Sequence, residues 1–176
     1  MESRLTSFAV ESRRNDDADA SALKQRSVAL PGWDLDARQL RDLELLLNGA
    51  FSPLAGYLVR RDYERVVSEA RLADGTPSSP LTLDVSEAFA ATIAIGSEIA
   101  LRDSQGVTRA MLDVEDIYWT DHLHEARAVF STTDRTHPGV AALLDHARPV
   151  YLGGRVRGIR TPTHDALAGR RGAPRD

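Results

Sequence analysis

The sequence predicts an α+β domain in which a small mixed or barrel-like β core is decorated by short helices. Apolar residues alternate with polar ones after Pro80, which is the period of a strand, whereas the residues after Asp36 follow the pattern of a capped helix. The predicted strands and helices are short and do not alternate regularly, so a doubly wound parallel sheet is not expected.

The clearest predicted helix extends from Asp36 to about Asn48. Gln39 follows Asp36 at the spacing of a capping box, and Gly49 stands where a left-handed C-terminal cap is expected. The predicted buried face consists of leucines at helical spacing: Leu40, Leu43 and Leu47, widened by Leu46.

Residues 62–70, 121–130 and 138–147 predict three further helices. Thr120 is the expected cap of the second, and Pro138 suits the first turn of the third. The side chains expected to face the core are Tyr63, Val66, Val67 and Ala70 in the first, Leu123, Ala126 and Phe130 in the second, and Val140, Leu143 and Leu144 in the third.

Three segments predict the β core. The first is a half-buried strand, in which Leu81, Leu83 and Val85 alternate with Thr82 and Asp84. The second is a hairpin that begins at Ile99 and Leu101, turns over residues 103–106 and returns over residues 107–114. The third is a closing segment over residues 150–159, which Gly153 and Gly154 interrupt with a turn or bulge.

The composition indicates a soluble globular protein with one domain. The 176 residues have a net charge of −4, which gives no overall attraction to nucleic acid, and the absence of cysteine excludes disulfides and thiolate chemistry. No apolar run is long enough to cross a membrane and no apolar signal segment follows Met1, so a cytoplasmic location is expected. We expect a folded domain over residues 28–160 between disordered tails, 1–27 and a basic 161–176.

Few residues are candidates for chemistry. His122 and His124 are two apart and do not share a helix face, so a solvated surface is favoured over a metal site. His137 could face an anion at a helix start, but a hydrogen bond to that helix end is the simpler interpretation. Ser52 is interpreted as a turn residue rather than a nucleophile. No phosphate-binding glycine pattern occurs, and the basic residues near the C-terminus lack interleaved aromatic residues to stack bases.

Several blocks of the sequence nevertheless resemble, in order, the opening of the sulfate adenylyltransferases, or ATP sulfurylases. The most specific block begins at Arg38 and Gln39 and continues through Asn48, Gly49, Ala50, Phe51, Ser52, Pro53, Leu54, Ala55, Gly56, Tyr57 and Leu58. Later blocks contain Asp74 and Gly75, residues 80–85, residues 114–118, then His137, Pro138 and Gly139, and finally Gly153 and Gly154. Ala50 departs from the family, where a second glycine is typical, and it would be strained if its φ angle were positive.

The resemblance implies a PUA-like fold, a mixed β barrel with attached helices that precedes a nucleotidyl-transferase domain. In that family sulfate attacks the α-phosphate of ATP and pyrophosphate leaves, and the groups for this step belong to the second domain, on glutamine-x-arginine-asparagine-proline and H-x-x-H motifs. Neither motif occurs here, because proline follows neither Asn15 nor Asn48 and no two histidines are three apart. The resemblance therefore implies no catalytic, cofactor-binding or metal-binding residue, and the matching residues are expected to be structural.

The expected function is that of an amino-terminal PUA-like domain of an ATP sulfurylase of sulfate assimilation, inactive alone and with a structural or assembly role. Its expected partner is a separately encoded catalytic domain or a second copy, and residues 51–58 are the candidate for an exposed apolar contact surface. The chain could be a truncated product or half of a split enzyme. The alternative is a free-standing PUA-like module that binds RNA or another ligand, because folds are reused for unrelated functions.

Overall fold

The computed structural model describes residues 17–159. The helices are α1 (Asp17–Ser27), α2 (Ala37–Leu47), α3 (Arg60–Glu69), α4 (Glu87–Ala90), α5 (His122–Phe130) and α6 (Pro138–Ala141), which continues as a π-helical turn over Ala142–His146. The strands are β1 (Gly32–Asp34), β2 (Gly56–Tyr57), β3 (Leu83–Val85), β4 (Glu98–Arg102), β5 (Thr108–Trp119) and β6 (Val150–Gly158).

The strands form one mixed sheet in the order β1-β4-β5-β6-β2, and β3 pairs with a second stretch of β6. β1 is parallel to β4, and the other pairs are antiparallel. Within the described residues the sheet does not close into a barrel, because β1 and β2 lie at opposite ends of the order. The predicted α+β class is confirmed, with an open sheet in place of a closed barrel.

The predicted hairpin is β4 and β5, in which Ile99 pairs with Leu112. Its turn is held by the Asp103 carboxylate, which accepts hydrogen bonds from the backbone amides of Gln105 and Val107 at 2.9 and 3.0 Å. Gly106 has a φ angle of 76°, which a side chain would oppose.

Buried apolar side chains form a main cluster and two smaller ones. Val150 and Leu152 belong to the main cluster, whereas Tyr151 between them belongs to the second. Because successive side chains of a strand point to opposite faces, β6 contributes to a core on each face of the sheet. The second cluster also contains Tyr63 from α3 and Tyr118 from β5.

The predicted capping box begins α2, and the buried face of this helix agrees in part with the predicted one. The residues of α2 that are buried are Gln39, Leu43 and Leu46, whereas Leu47 is exposed. Leu43 and Leu46 are thus buried as predicted, and Leu40 packs partly buried against the core. Leu47 was wrongly placed inside and Gln39 was missed, because the prediction counted only apolar residues, and a glutamine whose amide is fully hydrogen-bonded can take an interior position. Gly49 has the predicted left-handed conformation, with φ at 80°.

The structure confirms much of α3 and corrects α5. Tyr63, Val66 and Val67 of α3 are buried as predicted, while Ala70 ends the helix in a left-handed conformation. The cap of α5 is Asp121 rather than Thr120, because the Asp121 carboxylate accepts hydrogen bonds from two amides of the first turn. Leu123 was expected in the core but is 53% exposed. The side chains of α5 that are buried are Glu125 and Ala126.

The last part of the segment expected to be a disordered tail is helical. Helix α1 occupies residues 17–27, and its end is held to the sheet: Arg26 forms an ion pair with Glu98 at 2.8 Å, and the buried Ser27 hydroxyl lies 3.3 Å from that of Thr108. These polar contacts join segments far apart in sequence. They could not be predicted from the sequence, because α1 shows no apolar periodicity that would indicate a packed face. Residues 1–16 and the predicted tail 161–176 lie outside the described residues.

The loop after α2 packs inward, as predicted, and for the most part it is not an exposed apolar surface. Tyr57 and Leu58 are buried, and Phe51 and Leu54 pack partly buried against the core. The Ser52–Pro53 peptide bond is cis. Ala50 is absent from the residues of positive φ, so the alanine that replaces the family's glycine is unstrained.

Candidate functional site

Two residues of the resemblance, Arg38 and Gln39, surround a buried carboxylate. The side chain of Asp84 is only 2% exposed, and it accepts hydrogen bonds from the Arg38 guanidinium and, at 3.0 Å, from the Gln39 amide. On its other side the backbone amide of Arg148 donates to it at 2.9 Å. The Gln39 carbonyl in turn accepts from the Trp33 indole at 3.1 Å. The cluster therefore joins α2 and β3 to Arg148, which lies two residues before β6.

The charges of this cluster balance one another. The Arg148 guanidinium lies 3.1 Å from Asp36 and 3.3 Å from Asp84, and it stacks over Trp33 at 5.1 Å. Burial would raise the pKa of Asp36, but the Gln39 amide and the two arginines more than offset it, so this pKa lies below its usual range. Burial raises the pKa of Asp42 despite its ion pair with Arg38. Both guanidinium groups of the cluster, those of Arg38 and Arg148, are thus paired with carboxylates.

Other residues of the resemblance form caps and turns. Asn48 ends α2, and the Asp74 carboxylate accepts from the Thr76 amide at 2.9 Å beside Gly75, whose φ is 86°. His137 caps α6 through a 3.2 Å hydrogen bond from the Gly139 amide to Nδ1, and Pro138 occupies the first turn. The simpler interpretation of His137 is therefore confirmed.

Three blocks of the resemblance meet at one cleft of about 190 Å³, which we call the bulge cleft. It is lined by residues 54–59 together with Asp62, Glu115, Gly154 and Arg155. The close approach of the strands here requires glycine, since a Cβ on Gly56 would lie 1.9 Å from the carbonyl oxygen of Gly154. The sequence predicted each block separately but not that they meet.

A β-bulge shapes this cleft. The register of β5 against β6 shifts between Val114 and Asp116, which leaves Glu115 without a partner in the ladder. The Asp116 carboxylate accepts a hydrogen bond from the backbone amide of Arg60, the first residue of α3, at 2.8 Å. It thereby caps this helix, whose N-cap residue, Val59, has no side chain that could do so. Glu115 is left exposed at the cleft. A bulge was predicted in β6 from its two glycines, whereas the extra residue belongs to β5.

A second buried carboxylate, Glu125, joins α5 to the rest of the domain. It is 6% exposed, and one of its oxygens accepts hydrogen bonds from the hydroxyls of Tyr63 at 2.7 Å and Tyr151 at 2.9 Å. His122 stacks on the Tyr151 ring with centroids 5.6 Å apart. The sequence analysis did not single out Glu125, although its position beside Ala126 on the inner face of α5 was a usable signal.

The remaining sequence candidates do not come together as a reactive site. Among residues 17–159 no group of three or more histidine, aspartate or glutamate side chains could hold a metal ion. Of the basic residues near the C-terminus, Arg157 is engaged by Glu98 and, at 2.7 Å, by Asp113. Ser52 lies in the loop as a turn residue, and its amide donates to the carbonyl of Gly49. No described helix combines the length and apolar character needed to span a membrane.

Comparisons with known proteins agree on one family. A model of the PUA-like domain family matches residues 6–161. The chain is 44% identical over 143 residues to a sulfate adenylyltransferase of Eremothecium gossypii, covering 81% of this chain and 28% of the relative. It is 43% identical over 148 residues to a probable bifunctional SAT/APS kinase 2 of Sorangium cellulosum, covering 84% of this chain and 25% of the relative.

A solved structure described as a hexameric APS kinase from Thiobacillus denitrificans is also similar. The TM-score is 0.61 with 32% sequence identity, and the match covers 86% of this chain but 26% of that one. This chain therefore spans about a quarter of the length of the proteins it matches.

Proposed function

The chain belongs to the PUA-like domain family, and from that premise we propose that it acts as the amino-terminal domain of a sulfate adenylyltransferase, supporting a catalytic domain without carrying the reaction itself. The main support for the proposal is the part that the residues shared with these enzymes play in the fold. They pair a buried carboxylate, cap helices and allow close strand contacts. Such residues build a scaffold rather than a reactive centre.

The chemistry of the family supports a non-catalytic role for this domain. Transfer to the α-phosphate of ATP requires cationic and hydrogen-bonding groups around a phosphoryl centre that gains charge in the transition state. Among the described arginines, Arg38, Arg148 and Arg157 are held by buried or half-buried carboxylates. Freeing any of them for a phosphate would break at least one of these ion pairs.

An assay of adenylyl sulfate formation tests the proposal. The purified 176-residue chain is expected to release no pyrophosphate from ATP in the presence of sulfate, while the full-length enzyme of Eremothecium gossypii serves as the positive control. Turnover that scales with chain concentration and persists through further purification would overturn the proposed non-catalytic role.

A further inference from the structure

The Asn48–Gly49 pair, which ends α2, is also a chemically labile sequence. The backbone nitrogen of a residue can attack an asparagine side chain just before it, and glycine has no Cβ to hinder this attack. Asn48 is exposed, and nothing lies within 4 Å of the place where a Cβ on Gly49 would stand. No other asparagine of the chain precedes glycine. Asn48 is therefore the residue at which this reaction is expected.

The reaction needs only base and water. The Gly49 nitrogen loses its proton to a base from solvent and bonds to the Cγ of Asn48, and the side-chain nitrogen of Asn48 leaves as ammonia. Water then opens the cyclic succinimide at either of its carbonyls, which gives aspartate or isoaspartate. Ring closure requires the Gly49 nitrogen to lie on the side of the Cα–C bond that carries the Asn48 side chain.

The folded conformation holds the two reacting atoms apart. Asn48 has a ψ angle of −1°, which places the Gly49 nitrogen beside the backbone nitrogen of Asn48 rather than beside its side chain. The Gly49 amide donates to the Leu46 carbonyl at 3.1 Å and the Ala50 amide donates to the Leu45 carbonyl at 2.9 Å. These are the two hydrogen bonds of a Schellman motif. The attacking nitrogen is therefore turned away from Asn48 Cγ, and its proton is engaged.

We propose that Asn48 is a site of spontaneous deamidation that the Schellman motif of α2 keeps closed and that reacts when this motif opens. The inference rests on the conformation of α2 and not on the proposed function. The change is permanent because ammonia is lost. It also disturbs the motif, since aspartate adds negative charge at a helix C-terminus and isoaspartate lengthens the backbone where the two hydrogen bonds must re-form. The modified chain therefore holds the loop over residues 51–58 less firmly.

Peptide mass spectrometry of the 176-residue chain tests the proposal. Trypsin releases residues 42–60, in which Asn48 has the only side-chain amide, so its conversion can be read from this peptide after incubation at mildly alkaline pH. In native buffer the conversion should be at least about tenfold slower than in concentrated guanidinium chloride, because local opening must precede the attack. Equal rates in the two solutions would overturn the proposal.

Two variants show whether the Schellman motif is what protects Asn48. A50P removes the amide that donates to Leu45, so in native buffer it should convert at least about fivefold faster than the parent. In guanidinium chloride, where no motif remains, A50P and the parent should convert at the same rate. The control E125A removes a contact of α5 with α3 and β6, leaves α2 unaltered, and should convert like the parent in native buffer.

Circular dichroism shows whether both variants are folded. A folded A50P that converts as slowly as the parent would overturn the proposal. So would an E125A that converts several times faster than the parent, because the reaction would then follow unfolding of the whole domain rather than opening of the motif. If A50P does not fold, the rates of E125A and of the parent in the two solutions decide.

Discussion

Asp84 shows how a single buried charge organises this domain. Its carboxylate accepts from Gln39 and from two arginines that lie 46 residues before and 64 residues after it in the chain. The capping box of α2 could be predicted because it is local, with its two members three residues apart. The burial of Asp84 could not, because strand alternation assigns a side chain to a face without identifying its distant partners.

Removing this carboxylate should strongly destabilise the domain. In D84A the Gln39 amide and two guanidinium groups lose their shared acceptor, and breaking a buried pair from one side costs about 3 kcal/mol. The matched control is D34A, which removes a 2.7 Å surface pair with Arg102 whose aspartate side chain is 66% exposed, and should cost less than about 1 kcal/mol. Urea unfolding measures both, and equal losses would show that the Asp84 cluster is not a structural centre.

Two alanines differ in backbone conformation and make a paired test. Ala70 has a φ of 54°, in the left-handed region that a Cβ disfavours, whereas Ala50 does not have a positive φ. A70G should therefore raise the free energy of unfolding by about 0.5–1 kcal/mol, because relief of strain exceeds the added entropy of the unfolded chain. A50G should lower it slightly, since no strain is relieved. Thermal melting that shows the reverse order would contradict the backbone assignment.

Helix α5 is joined to the domain by a polar contact more than by an apolar stripe. Its prediction from helical spacing identified the element and Ala126 correctly, but it placed Leu123 inside and ignored Glu125. Periodicity weighs side chains by apolarity, so it cannot recognise an inward carboxylate whose partners are tyrosines on α3 and β6. It also missed α1, whose described contacts with the sheet include an ion pair and a hydroxyl hydrogen bond.

The hydrogen bonds of Glu125 predict that different substitutions of this residue lower the stability of the domain by different amounts. E125A leaves the hydroxyls of Tyr63 and Tyr151 buried without an acceptor and should lower the free energy of unfolding by about 2–4 kcal/mol. E125Q keeps an acceptor oxygen and should lose less than half as much. The exposed E69A is the control and should change stability by less than about 0.5 kcal/mol. Denaturant unfolding compares the three, and an E125A variant as stable as E69A would be inconsistent with this role of Glu125.

All four tyrosines of the chain are buried. Burial is the largest cause that raises the pKa of each, and nearby carboxylates raise it further: Asp42 for Tyr57, Glu125 for Tyr63 and Tyr151, and Asp116 for Tyr118. A raised pKa means that the folded state holds the phenol proton more tightly than the unfolded state does, so stability is intact below the ordinary value of about 10 and falls as the pH rises above it.

Alkaline titration should therefore produce tyrosinate only together with unfolding. The near-ultraviolet absorbance of tyrosinate is expected to stay low in the native protein at pH values where the chain in concentrated guanidinium chloride is already ionised. Circular dichroism recorded on the same samples should lose its helical signal as the tyrosinate absorbance rises. A native protein that ionises one or more tyrosines near pH 10 while its circular dichroism is unchanged would contradict the burial described above.

The most direct test of a supporting, non-catalytic role compares adenylyl sulfate formation by three proteins: the isolated chain, the Eremothecium gossypii enzyme without its matching segment, and the chimera that carries this chain in that place. We expect turnover by the chimera alone, because the catalytic domain supplies the reacting groups and this domain supports it. Turnover by the isolated chain would show that this domain carries reacting groups, and a folded but inactive chimera would show that it does not support the catalytic domain.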